Sequence, residues 1–253
     1  MSTLGRITLR LRSECHQILQ RKLIHTEIKR PLVSFSFDDF PRSAVTNGAR
    51  ILEGFGACGT FYVAGSLCGT VADGIRQFEE EDVSRLLEAG HEIGCHTFTH
   101  RPVSQMTGKT LFDELEQNAA FVENIVPSFE MSTFAYPFGD VSLSGKSRLR
   151  NRFAACRTVR AGHNRARIDL SYLRAVRLYD SALDEAKVTS LITQTVNRKA
   201  WLIFYTHDVE DTPSRFGCSP SLLRFALTAA VQAGVQIMPI KNAIGEIRFN
   251  RSG

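Results

Sequence analysis

Several features that would place this chain in a large protein class are missing. None of its six cysteines, at 15, 58, 68, 95, 156 and 218, falls in a CxxC pair. Neither a disulfide framework nor a zinc knuckle has that spacing, so the thiols read as reduced. No run is apolar and long enough to span a bilayer. The basic stretch 1–30 is charged too often to hold the apolar core of a secretory signal, which makes a cytoplasmic location the expectation. Repeats, low-complexity tracts and a linker are absent as well, so the chain reads as one principal domain. Acids are scarce in one place. Between 146 and 177, nine arginines, at 148, 150, 152, 157, 160, 165, 167, 174 and 177, face a single acid, Asp169. The plain reading is a solvated basic face. The sharper one is a surface that attracts an anionic substrate, such as a phosphorylated or uronic-acid glycan. No aromatic-interleaved binding signature accompanies the arginines, so nucleic acid is not expected as a partner.

What remains is ordinary globular composition: 253 residues, 43% hydrophobic, 23% charged, enough for one sizeable α/β core. Strand patterns at 32–37, 60–63, 92–95, 133–136, 201–205 and 235–239 alternate with helical ones at 44–54, 82–89, 108–124 and 221–233. In the third helix Leu111, Leu115, Ala119 and Val122 recur at spacings of four and three. That alternation predicts a single α/β domain with a largely parallel sheet, a barrel at this length. Ile7, Leu9, Leu11, Ile18, Leu19 and Leu23 suggest an N-terminal helix packed on the domain, with a peripheral membrane contact as the lesser alternative.

Polar residues recur at one kind of place. Asp38-Asp39, His96, Pro137-Phe138-Gly139 and His207 each follow a candidate strand directly. Two acids after an apolar run must sit at its exposed end, because unpaired buried charge is too costly. In a parallel barrel the C-terminal strand ends share one rim, where these groups could meet. His96 and His100, four apart, lie on one helix face or at the ends of a tight turn. With a carboxylate they make a two-His-one-carboxylate set with open positions, suited to zinc, iron or another divalent ion. A second carboxylate then serves as general base, and His207 as the acid for a leaving amine.

Each piece alone has a bland reading. Asp-Asp is usually a turn or cap, an HxxxH is usually a surface coincidence, and a lone histidine is usually structural. His16, His25, His91 and His163 are read as structural or surface groups. Strand alternation turns the Cys95 side chain away from that of His96 and into the core. The ordered combination is what carries weight.

That combination resembles the polysaccharide deacetylase family (NodB homology, carbohydrate esterase family 4) over about 30–245. Ser36-Phe37-Asp38-Asp39 is similar to its Thr-Phe-Asp-Asp motif, with Phe40 where the family has Gly and with Pro41 retained. Gly59-Thr60-Phe61-Tyr62-Val63 resembles its second strand, and the run from Gly90 to His100 its metal motif. Phe134-Ala135-Tyr136-Pro137-Phe138-Gly139 and Phe204-Tyr205-Thr206-His207-Asp208 resemble the later motifs. The resemblance implies a single-domain distorted (β/α) barrel at 30–245, flanked by a basic extension at 1–29 and a tail at 246–253. It implies one divalent metal, zinc first and cobalt, nickel, iron or manganese as alternatives, held by Asp39, His96 and His100. Asp38 would be the base and His207 the acid. The backbone N–H of Phe138, in a turn with Tyr136, Pro137 and Gly139, would hold the oxyanion.

The implied activity is removal of the acetyl group from an N-acetyl sugar in a polysaccharide, lipopolysaccharide or lipid-linked glycan, an anionic one among the candidates, in surface-glycan biosynthesis. Hydrolysis of another amide or an O-acetyl ester is an alternative within enzymes. A glycan-binding or assembly protein on a degenerate scaffold is the alternative outside them. Two departures stand out. Ala135 occupies the position of the arginine that orients the base, leaving Arg174 or Arg177 as candidate replacements. The Asp-aromatic motif that tunes the acid has no clear counterpart.

Overall fold

The computed structural model describes residues 19–249. In chain order its strands are β1 (Leu23–Thr26), β2 (Leu32–Asp38), β3 (Thr60–Val63), the hairpin pair β4 (Val71–Ala72) and β5 (Ile75–Arg76), β6 (Glu92–Cys95), β7 (Thr133–Ala135), β8 (Ala155–Arg157), β9 (Ala166–Asp169), β10 (Val176–Arg177), β11 (Trp201–Thr206) and β12 (Gln236–Ile237). The main sheet has the order β10-β11-β2-β3-β6-β7-β8, and β12 adds to the first half of β2. Every pairing in it is parallel. Backbone bonds from Leu173 N to Cys156 O (2.8 Å) and Thr158 N to Leu173 O (2.9 Å) carry the curl from β8 to the segment entering β10. The result is a curled (β/α) sheet, a distorted barrel, as expected from the alternating pattern.

Alternation along β2 explains where its groups go. Val33, Phe35 and Phe37 pack outward in one core with Leu52, Leu223 and Leu227 of the covering helices. Each such buried side chain contributes about 2 kcal/mol. Ser34, Ser36 and Asp38 take the inner face, all buried. The two hydroxyls are satisfied there: Ser34 Oγ accepts from Trp201 Nε1 (3.0 Å) and Ser36 Oγ donates to the Phe204 carbonyl (3.0 Å). Tyr62, Trp201, Ile203 and Tyr205 form a second core with Ile240, Ile244 and Ile247 of the last helix. That helix closes the end of the barrel where the strands begin. Its first amides reach Thr60 Oγ1 (Ile240 N, 2.9 Å) and the buried Glu92 carboxylate (Lys241 N, 2.8 Å). The strand ends that carry or precede Asp38, His96 and His207 form the opposite, C-terminal rim.

Some expectations need correction. Leu23 lies in a strand, not a helix: β1 pairs antiparallel with β9, from Leu23 opposite Asp169 to Thr26 opposite Ala166. Its burial alternates, with Ile24 inside and His25 outside, because an edge strand rather than a helix satisfies this backbone. The rest of the expected N-terminal helix, including Ile7, Leu9, Leu11 and Ile18, lies outside the described residues, as does His16. The helices Leu143–Arg152 and Glu185–Asn197 were not read from the sequence. The last helix, Ile240–Phe249, continues past residue 245.

Candidate active site

Asp38 ends the inner face of β2, so regular alternation would send Asp39 outward. The backbone breaks the rule instead. Asp39 has φ 55°, a left-handed conformation that Asp tolerates better than most residues, and Phe40 follows at φ 28°. The reversal keeps both carboxylates on the rim, Asp38 below and Asp39 beside the histidines. His96 leaves β6 with its ring buried, and its Nδ1 bonds the Ala135 carbonyl (2.8 Å). A carbonyl only accepts, so Nδ1 carries the proton and Nε2 keeps its lone pair. That Nε2 lies 3.8 Å from Asp39 Oδ1, and His100 Nε2 lies 3.5 Å from the same oxygen. The two rings are 4.9 Å apart. His100 and Thr97 are also left-handed (φ 53° and 61°), so the histidines sit at the ends of a tight non-helical turn. Strain of this kind gathers at sites held by their surroundings.

These three residues fit a cation. One ligand atom from each lies within 4.8 Å of the others. Asp39 Oδ1 is buried without a hydrogen-bond partner, an exception that calls for an explanation in a folded core. Two imidazole nitrogens and a carboxylate oxygen suit a divalent ion of the zinc type. Electrostatics agree. Burial, then the charge of Asp38, pushes the Asp39 carboxyl up to about 8. Burial pushes His96 down to about 3 and His100 to about 4, which keeps both imidazoles neutral and ligand-ready.

Asp38 is held differently. Burial alone would raise its pKa, but the Arg157 guanidinium, with His96 and His207, outweighs it and lowers it below the usual carboxylate value. Arg157 Nη2 donates to Asp38 Oδ1. The guanidinium lies 5.1 Å from the centre of the Tyr62 ring and 5.0 Å from that of Tyr205, and Nη1 bonds the Thr158 carbonyl. Arg157 is fully buried, so this member of the arginine-rich run is not part of a solvated face. It also corrects the candidates for the missing cation. Arg177 is exposed on β10, and Arg174 donates to the Ala161 carbonyl instead. The available signal was position: Arg157 follows Ala-Cys directly, as a polar residue ending a short apolar strand. The surrounding arginines masked it.

The Pro137–Gly139 turn follows β7. Phe138 is left-handed (φ 58°) and 66% exposed, with its ring 4.5 Å from that of His100, so it stands over the histidine pair. Pro137 is buried. Tyr136 turns inward, its hydroxyl donating to the Ser171 carbonyl (3.2 Å), so its side chain is part of the core rather than the rim. His207 follows β11. Its Nδ1 bonds the Phe216 carbonyl (3.3 Å), which leaves Nε2 as the other ring nitrogen, and burial lowers its pKa. That carbonyl orients the imidazole. Cys95 is buried away from the site and accepts from Asn118 (3.2 Å). His91 is structural: Nδ1 accepts from Gly59 N (2.9 Å), and Nε2 faces Glu53 (3.1 Å). His163 bonds Leu191 and Thr195 away from this rim, and His25 is exposed.

Comparisons with known proteins converge on one group. A family model described as polysaccharide deacetylase matches residues 25–152, half of the chain. A bifunctional xylanase/deacetylase from Pseudobutyrivibrio xylanivorans is 25% identical over 93 residues, which cover 37% of this chain and 14% of that protein. The match thus spans a small part of that relative's length. Among solved structures, the CE4 domain of a multidomain xylanase from the hindgut metagenome of Trinervitermes trinervoides aligns with TM-score 0.58 and 15% identity, covering 86% of this chain and 91% of that one. The peptidoglycan deacetylase PdaC of Bacillus subtilis aligns with TM-score 0.57 and 17% identity, over 89% and 95%. A CE4-family pseudoenzyme of Bacillus anthracis aligns with TM-score 0.60 and 13% identity, over 88% and 69%. At these identities the structural matches establish a shared fold.

Proposed function

Because the chain belongs to the polysaccharide deacetylase family, we propose that it is a metal-dependent deacetylase that hydrolyses the acetamide of an N-acetyl sugar within a glycan or glycolipid. The observation that carries this reading is the pairing of a base with an ion site: an Arg157-bound Asp38 directly beside the Asp39–His96–His100 cluster. A protein that only bound glycan would have no use for a buried carboxylate held ionised next to a ligand set.

Asp39, His96 and His100 would hold the ion. When bound, it supplies Lewis acidity, polarising a carbonyl and lowering the pKa of water. Asp38 takes a proton from water as the oxygen adds to the acetyl carbon. Its low pKa keeps it ionised and ready at neutral pH. The Phe138 N–H donates to the oxygen that gains charge, a role that needs an amide rather than a particular side chain. When the C–N bond breaks, the departing sugar nitrogen takes the proton that Asp38 drew from the water, relayed through His207 Nε2, because Nδ1 is committed to the Phe216 carbonyl and the lowered pKa of the ring lets it give the proton up readily. Acetate and a free amine are the products. The exposed Phe138 ring offers an apolar face for a sugar.

The test is acetate release from a panel of N-acetylated and O-acetylated glycans by stripped protein with zinc, cobalt or nickel restored, with Asp38→Asn in parallel. Metal-dependent release that Asp38→Asn loses while keeping its metal supports the reading. Full turnover by that variant refutes the mechanism. Saccharide binding without release from any acetylated substrate favours the non-catalytic alternative, which the pseudoenzyme fold neighbour makes concrete.

A further inference from the structure

The helix Gly108–Ile125 presents an acid where its periodicity calls for an apolar residue. Leu111, Glu114, Leu115 and Asn118 share one face and are all buried. A buried carboxylate must be fully bonded, and Glu114 spends its oxygens on one short segment. Oε2 accepts from Phe98 N (3.0 Å) and Thr99 N (2.7 Å), and Oε1 accepts from Thr99 Oγ1 (2.5 Å). Those two residues lie between His96 and His100, inside the turn whose Thr97 and His100 are left-handed. One helical turn further on, Asn118 reaches the end of β6, which feeds the same turn, through Cys95 Sγ (3.2 Å), and it also ties down the neighbouring end of β3. Its Oδ1 accepts from Gly65 N (2.9 Å), and its Nδ2 donates to the Val63 carbonyl (2.9 Å).

We propose that Glu114 is a positioning residue for the metal centre, through three hydrogen bonds that hold the His96–His100 turn in its strained shape with both Nε2 atoms facing Asp39. The proposal rests on the metal reading above. Its physical basis is that the turn carries two left-handed non-glycine residues, and a carboxylate accepting from two consecutive amides supplies the restraint. Glu114 touches neither ion nor substrate, so its effect reaches the chemistry through the two imidazoles. Outer partners of metal ligands commonly set affinity by 10- to 100-fold.

The experiment titrates cobalt or zinc into stripped wild-type protein, Glu114→Gln and Thr99→Val against a competing chromophoric chelator, with thermal melting of the metal-free forms alongside. Glu114→Gln keeps the volume and one acceptor oxygen, and Thr99→Val removes only the hydroxyl bond. The expected result is affinity weakened about 10-fold or more in Glu114→Gln and a few-fold in Thr99→Val. Excess metal should restore turnover in both, and the cobalt absorption spectrum should shift. Unchanged affinity in both variants overturns the proposal, whatever happens to melting temperature, because a purely structural acid would lower stability without touching the ion. Wild-type protein that binds no divalent ion overturns the metal reading itself, and the role of Glu114 with it.

Discussion

Arg157 donates to Asp38 across 119 residues of chain, from the end of β8 to the end of β2, with its guanidinium between the rings of Tyr62 and Tyr205. A buried charge pair of this kind adds little net stability, but breaking it is expensive. Arg157→Ala leaves Asp38 buried and unpaired and is expected to cost about 3–5 kcal/mol in urea unfolding. Arg157→Lys keeps the charge but loses the planar, ring-stacked fork. It should fold, keep its metal, and lose turnover by about 100-fold, a typical cost of disturbing a preorganised catalytic group. Wild-type turnover in Arg157→Lys would remove Arg157 from the mechanism.

Asp39 should lose a proton when the ion binds. Its folded-state pKa is raised from 3.8 to about 8, so the metal-free carboxyl is protonated at pH 7. The sign for stability follows: its contribution is full below pH 3.8 and is lost as pH rises through about 8. Calorimetric titration of metal at pH 7, in buffers of different ionisation enthalpy, should show about one proton released from this group, falling away as pH rises through about 8. No release at pH 7 would mean that Asp39 is already ionised.

Phe138 and Gly139 separate backbone from side chain at the turn after β7. Phe138→Ala keeps the amide and should retain turnover within about tenfold, with the larger effect on KM, because only an exposed apolar face is lost. Gly139→Ala should be worse. Gly139 has φ 65°, which strains any other residue, and a Cβ there would lie 2.2 Å from Val159 Cγ2, so the turn or the Val159 side chain must shift. Paired kinetics of the two variants decide the point. The reverse order would place substrate contact, not turn geometry, in control.

His91 should steepen acid destabilisation. Burial lowers its pKa below the usual 6.5, against the opposing pull of Glu53. A depressed folded-state pKa means stability present above about pH 6.5 and lost as pH falls through the folded value. His91→Gln should lower stability at pH 7, since Gly59 N loses a well-placed acceptor. It should also flatten the decline of the urea midpoint between pH 7 and 5. An equally steep decline in the variant would assign the slope to other groups.

The strands that lead to Asp38 and His207 were legible because each is an apolar run ending in a polar group, and β3 and β6 match the residues read from pattern alone. The left-handed turn at Asp39 was not legible. Alternation predicts the opposite face for it, and only the packing of the rim shows which way the backbone breaks. β8, at three residues, and β10, at two, were too short for periodicity to register. Glu114 was visible in principle, as an acid between Leu111 and Leu115 on an apolar face, but its partners lie across a loop.

The sequence by itself determined the parallel α/β architecture, the order of its principal elements and the identity of the two-histidine, two-acid set, because hydrophobic period and polar strand ends are local properties. The tertiary structure decided which cation serves Asp38. Ala135 leaves that place open, nine arginines lie between 148 and 177, and only closure of the curled sheet at β8 buries one of them, Arg157, against the acid. Which arginine pays the cost of burial is a property of how distant strands meet, and no local pattern records it.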